Sequence, residues 1–185
     1  MNTASKPRIK PVDVDLTEPL KSKMEKVFPA ALRSPNLYRS VARNEALFID
    51  MIDMNFIGPT GLLDRKMIPP RRRELLILRT CMQAKNEYES HLHERTISER
   101  MGLTLLEIDD LKNADINKDI WSDEDISLSA LTDVLVNTTS VPDDIFERAA
   151  TYISEPELIE MTLLVGLYTS VAMLVSLIRP EFDPY

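Results

Sequence analysis

The chemistry available to this chain is concentrated in one short stretch, Asn86-Glu87-Tyr88-Glu89-Ser90-His91-Leu92-His93, which holds both of its histidines. Glu89 and His93 are four apart, so on a helix they share a face, and Asn86 joins that face three residues before Glu89. A carboxylate beside an imidazole is a proton-transfer pair. The carboxylate orients the ring and favours its protonated form, and histidine titrates near neutral pH. The same spacing also suits a plain helix-surface interaction worth roughly 0.2–0.5 kcal/mol. His91 is two residues from His93 and points elsewhere. Glu89 and His93 would give a metal two ligands, whereas a zinc site needs three or four. Glu74 joins them only if the preceding helix folds back. No metal and no cofactor is therefore expected. Cys81, the single cysteine, stands among Leu75, Leu76, Ile77, Leu78 and Met82, the setting of an inert core thiol. One cysteine excludes a disulfide or a dithiol within the chain.

The elements that must hold these residues are helices. The chain has 185 residues, with 4 glycines and 12 prolines that mostly stand between apolar stretches, which favours helices joined by short turns. The expected class is all-α, with about eight helices: residues 1–14 as an N-terminal tail, then one domain over 15–185. Apolar spacing places helices over 18–33 and from 35 to about 57. Pro69-Pro70 opens a third at 71–85, and a fourth follows over 86–101, closed by Gly102 as its C-cap. Thr104-Leu105-Leu106-Glu107 reads as a capping box. Ser122 to Asp125 supplies acceptors and negative charge for the next helix start, and Pro142-Asp143-Asp144 for another. Ser154-Glu155-Pro156-Glu157 is a second capping box, opening the last helix.

Charge and hydropathy bound the partners. With a net charge of −8 the chain lacks the basic face of a nucleic-acid binder, so no nucleic acid is expected. Arg71-Arg72-Arg73 is the one local exception; it reads as a solvated helix start, with a substrate anion as the alternative. Residues 161–178 are uncharged over 18 positions, at the lower edge of a membrane span. Thr162, Tyr168, Thr169, Ser170 and Ser176 lie within them, and a core or subunit-interface helix is the expectation, with no membrane. Residues 1–10 are polar, without the apolar core of a secretory signal, so the cytoplasm is the expected location.

The stretch Arg73-Glu74-Leu75-Leu76-Ile77-Leu78-Arg79, then Glu87-Tyr88-Glu89 and His93, then Gly102-Leu103, resembles the carboxymuconolactone decarboxylase-like family, which includes the alkylhydroperoxidase D proteins. The redox members of that family carry Glu, eleven residues, Cys-x-(Thr/Tyr)-Cys, three residues, then His. This chain carries Glu74, eleven residues, Asn86-Glu87-Tyr88-Glu89, three residues, then His93, so the spacing holds across 20 positions. Asn86 and Glu89 replace the two cysteines, as in the cysteine-free branch. Glu160 and Gly166-Leu167-Tyr168 are similar to the family's closing helix, and the resemblance covers roughly residues 33–184. It implies an alkylhydroperoxidase D-type helical fold, assembly as homotrimers or hexamers, and one pocket holding Glu74, Glu89 and His93. The motif lacks the thiolate and resolving thiol of a dithiol peroxidase.

Two functional expectations follow. The first is a cofactor-independent lyase, decarboxylase or isomerase acting on a small organic acid or lactone. His93 would be general acid or base, Glu89 and Glu74 its relay, Tyr88 a nearby hydrogen-bond donor, and Asn86 and Arg73 substrate-binding groups. The second is a non-catalytic oligomeric binding protein on the same scaffold. Residual peroxidase chemistry at Cys81 is a third, minor alternative.

Overall fold

In the computed structural model the described residues, 6–28, 33–57, 61 and 65–184, form helices and no strand. In chain order these are α1 (Leu20–Val27), α2 (Asn36–Val41), α3 (Glu45–Asp53), α4 (Pro70–Gln83), α5 (Glu87–Thr96), α6 (Leu105–Asp110), α7 (Asp123–Thr138), α8 (Asp143–Ala150) and α9 (Glu155–Ile178). The all-α class holds. Where one helix was expected from residue 35 to about 57, two are found. Asn44 breaks the run: its side chain accepts the Leu47 amide at 3.3 Å and starts α3 as an N-cap. The expected 18–33 helix is shorter: α1 ends at Val27, where Phe28 turns extended (φ −121°, ψ 94°); residues 29–32 lie outside the described set.

Two compact units divide the chain. The first comprises the residues up to Arg65 together with Leu174–Pro184. Its core gathers Leu20, Met24, Ala42, Phe48, Ile52 and Ile57. The opening segment is hydrogen bonded from Arg8 onward: the Arg8 and Ile9 amides donate to the Ile178 carbonyl, and the Val12 amide to that of Arg39. At the other end the Asp183 carboxylate accepts the Asn36 amide at the start of α2. A cavity of about 380 Å³ opens beside α1, lined by Leu16, Lys21, Met24, Glu25, Phe28 and Ser34 among others. None of the chemistry-bearing residues named above lines it.

The second unit runs from Lys66 to Met173 and holds the candidate site. Here α4 packs on α5 and α7, and α8 packs on α7. Leu75, Leu76, Ile77 and Leu78 are essentially inaccessible, so α4 is buried all round along this stretch. The Thr104–Glu107 capping box forms in full at the start of α6. At the start of α9, Ser154 donates both its amide and its hydroxyl to the Glu157 carboxylate. By length and composition α9 would reach across a membrane. Along it Leu158, Met161, Leu164, Val165, Tyr168 and Ala172 are buried, the three-and-four spacing of a core-facing stripe.

Candidate functional site

The site is built on two consecutive helices. Pro70 at the first position starts α4, where a missing amide hydrogen is no loss. Glu74 and Cys81 are seven positions apart, about two helical turns, so both look to the same side. The chain then reverses: Lys85 takes a left-handed conformation (φ 54°), and the Asn86 amide donates to the Cys81 carbonyl at 2.7 Å. The Asn86 side chain accepts the Glu89 amide at 3.2 Å and so caps α5. On α5, Glu89 and His93 lie one above the other, as their spacing requires.

The end of α5 departs from expectation. The helix stops at Thr96 and does not continue to residue 101. The His93 carbonyl accepts the amides of both Ile97 and Ser98, at 2.9 Å each, and the second bond, one residue wider than a helical turn, turns the chain out of the helix. Gly102, with φ 102°, closes the following turn, with its amide on the Glu99 carbonyl and the Leu103 amide on that of Ser98. The early stop delivers Ser98 to the site.

At the centre, His93 Nδ1 lies 2.8 Å from Glu74 Oε1, with the two side chains 4% and 0% exposed. Ser98 donates its hydroxyl to the same oxygen at 2.6 Å. Burial pushes the Glu74 carboxyl up, but the hydrogen bond and charge of His93, the Ser98 hydroxyl and the charge of Arg73 outweigh it, leaving Glu74 below its ordinary value. An ionised carboxylate accepts, so Nδ1 carries the hydrogen and Nε2 keeps its lone pair in the neutral ring. Two groups face Nε2: Glu89 Oε2 at 3.9 Å and the Tyr168 phenol oxygen at 3.5 Å. The Tyr168 ring meets the imidazole edge-on, 5.7 Å between centres. Glu74 Oε2 and Asn86 Nδ2 are both buried, and neither has a hydrogen-bond partner among the described residues.

Cys81 is 1% exposed. Burial first, then the charges of Glu89 and Glu74, push its thiol well above the ordinary value, so it stays protonated and a poor nucleophile. No group of three or more His, Cys, Asp or Glu side chains among the described residues is arranged to hold a metal ion.

Of the residues singled out from sequence, the structure brings Glu74, Glu89 and His93 together. Asn86 stands one turn before Glu89, and the charge of Arg73 falls on Glu74. Tyr88 is buried, but as the neighbour of Glu89 it is rotated about a quarter turn round α5 from that carboxylate. Arg71 and Arg72 are not simply solvated. Arg71 pairs with Glu107 and, at 2.8 Å, with Asp125; Arg72 pairs with Glu124 and Glu157 at 2.6 and 3.0 Å. Sequence reasoning missed Ser98 and Tyr168. Ser98 carried no signal, because its position depends on the early end of α5. Tyr168 carried one, a lone phenol on the buried stripe of an apolar helix, since buried tyrosine hydroxyls find a polar partner.

No family model matches the sequence, and no curated protein matches it. Solved structures do. A protein of unknown function from Agrobacterium tumefaciens, described as a candidate antioxidant defence protein AhpD, superposes with a TM-score of 0.63 at 17% identity, over 78% of this chain and 97% of that one. The debrominase Bmp8, a cysteine-to-alanine variant in complex with 2,3,4-tribromopyrrole, superposes with a TM-score of 0.73 at 14% identity, over 97% of this chain and 94% of that one. At such identities the likeness is one of architecture, and the chain has the AhpD-like helical fold.

Proposed function

We propose that this chain is a cofactor-independent acid–base enzyme, of the carboxymuconolactone decarboxylase-like kind, that moves a proton on a small organic acid or lactone. One observation carries the reading: buried Glu74 holds His93 through Nδ1 at 2.8 Å, which presents Nε2, beside Tyr168 and Glu89, as the nitrogen that would exchange a proton. Two reactions suit it. In double-bond isomerisation, Nε2 takes a proton from the carbon beside the carbonyl, the C–H electron pair passes into an enolate, and the proton returns at another carbon. In decarboxylation the C–C bond to the carboxylate breaks, carbon dioxide leaves, its electron pair forms the enolate, and His93 supplies the proton. Either way the enolate oxygen needs a donor, and Asn86 Nδ2 is an unused one. Glu89 steadies the imidazolium that forms. Dithiol peroxidase chemistry is not proposed, because Asn86 and Glu89 carry no thiol and Cys81 is buried and protonated. A small ring is also what the debrominase of like fold holds.

The reading includes assembly of identical copies in the cytoplasm, as trimers or hexamers. Its support is an uncharged stripe on α9, where Ile159, Leu163 and Met173 are 64%, 55% and 68% exposed. Leu163→Glu would lower the mass measured by light scattering. A second reading, binding without turnover, draws on the burial of the whole Glu74–His93–Glu89 group. A thermal-shift panel of lactones and unsaturated acids, followed by turnover assays, separates the two. The enzyme reading expects a stabilising compound that is turned over, with the rate falling about 10²–10⁴-fold in His93→Ala. Stabilisation without turnover favours the binding protein, and no stabilisation by any compound sinks the enzyme reading and moves a protein-binding role ahead.

A further inference from the structure

On the reading of this site as a proton-transfer centre, we infer that its substrate is a neutral molecule, a lactone or ester-like carbonyl compound, and not a free carboxylate. Three observations converge. Two carboxylates flank the imidazole, Glu74 at 2.8 Å from Nδ1 and Glu89 at 3.9 Å from Nε2. They are 0% and 5% exposed, so water screens them little, and a third negative charge brought within a few ångströms is repelled. Each of the three neighbouring arginines already has its charge engaged by a carboxylate. Arg71 is held by Glu107 and Asp125, Arg72 by Glu124 and Glu157, and the charge of Arg73 falls on Glu74. The buried donor that the site leaves unused is neutral, the Asn86 Nδ2 amide, which suits a carbonyl oxygen; the unused acceptor, Glu74 Oε2, belongs to a carboxylate and repels an anion. A guest with a carbonyl group and no charge satisfies the donor without meeting the carboxylates.

The consequence reaches the reaction. Carbon dioxide can only leave from a carboxylate, so a site that rejects anions favours isomerisation or lactone opening over decarboxylation. The selectivity would lie in Glu89, which occupies a position where the redox members of the resembling family carry a cysteine.

Matched pairs test this on the intact protein: α-angelica lactone against levulinate, and methyl vinylacetate against vinylacetate, by thermal shift and calorimetric titration. The neutral member of each pair should bind at least about tenfold more tightly. Glu89→Gln, checked for folding by circular dichroism, should narrow the gap by strengthening the anion. Equal or tighter binding of the anion to wild type overturns the inference and leaves the proton-transfer reading standing. So does an unchanged gap in Glu89→Gln. Should that variant not fold, Arg73→Gln decides: a selective loss of anion binding there means the arginine holds a substrate carboxylate, and the inference is wrong. If neither member of either pair binds, the proton-transfer reading fails and this inference with it.

Discussion

Helix α4 buries two charged side chains five residues apart, and they are treated in opposite ways. Arg79 is 1% exposed and every guanidinium nitrogen is bonded. Nε and Nη2 reach the two carboxylate oxygens of Asp133 at 2.6 Å each. Nη1 donates to the carbonyls of Leu111 and Asn113, at 3.2 and 2.6 Å, and Nη2 also to that of Ala114 at 2.6 Å. The loop after α6 is thereby tied to α4 and α7. Glu74 is 0% exposed, yet one of its oxygens takes both donors and the other takes none. A closed network holds a structure together; an open one keeps hydrogen-bonding capacity in reserve for something else. On the proposed function, the contrast separates a structural charge from a chemical one on a single helix.

The largest effect should follow from opening the closed network. Arg79→Met removes the donor from a half-buried Asp133 and from three carbonyls, which should cost about 1–3 kcal/mol of folding stability. Equilibrium denaturation measures it; a loss below about 1 kcal/mol would mean that the guanidinium is no clamp. Glu74→Gln should behave in the reverse manner. Its amide oxygen still accepts from His93 and Ser98, so stability should fall by only about 1 kcal/mol. Turnover of the lead compound should drop about 10²–10⁴-fold, because the neutral amide no longer supports an imidazolium. Equal stability losses in the two variants would erase the distinction.

How far the sequence already displayed this contrast depends on which interactions are local. The Glu89–His93 face follows from helical spacing alone and was legible; Asn86 was read as a member of that face, whereas it stands just before the helix as its N-cap. The Thr104–Glu107 box was legible too. The partnership of Glu74 with His93 spans 19 residues, and only the family spacing suggested it, because nothing local says how α5 returns along α4. Ser98 was hidden for the same reason: its place is fixed by where α5 stops. Arg79 was legible in principle, as a charge inside the apolar run Leu75-Leu76-Ile77-Leu78, but its partners lie 32 to 54 residues away. The break at Asn44 shows a local competitor winning, a side chain that caps a helix where apolar periodicity alone would continue one.

A pH titration sharpens the comparison at smaller amplitude. Glu74 titrates below its ordinary value in the folded protein. A depressed carboxylate contributes stability that is present above its unfolded pKa and is lost as pH falls through the folded one. Wild type should therefore lose stability on acidification below the usual carboxylate range. Glu107, Asp110 and Glu157 are lowered too and contribute to the same loss. The share of Glu74 is isolated by difference: the gap between wild type and Glu74→Gln should shrink as pH falls. A gap constant from neutral to acid pH would mean that Glu74 is not held ionised by His93 and Ser98.

The smallest effect should come from Cys81, which shares the Glu74 side of α4 and feels the charges of both carboxylates without bonding to either. Burial, Glu89 and Glu74 all push its thiol up, so at neutral pH the thiolate is scarce and no attacking species is exposed. Iodoacetamide should modify it only as fast as the chain opens, with the rate rising steeply at the denaturation midpoint. Cys81→Ala should leave turnover unchanged and cost about 1 kcal/mol or less through a small cavity. Rapid alkylation of the folded protein, or hydroperoxide consumption abolished by Cys81→Ala, would show a working thiolate beside two buried carboxylates. The negative field ascribed to Glu74 and Glu89 would then be wrong, and with it the argument that this half of α4 is set up for proton transfer and the other half for support.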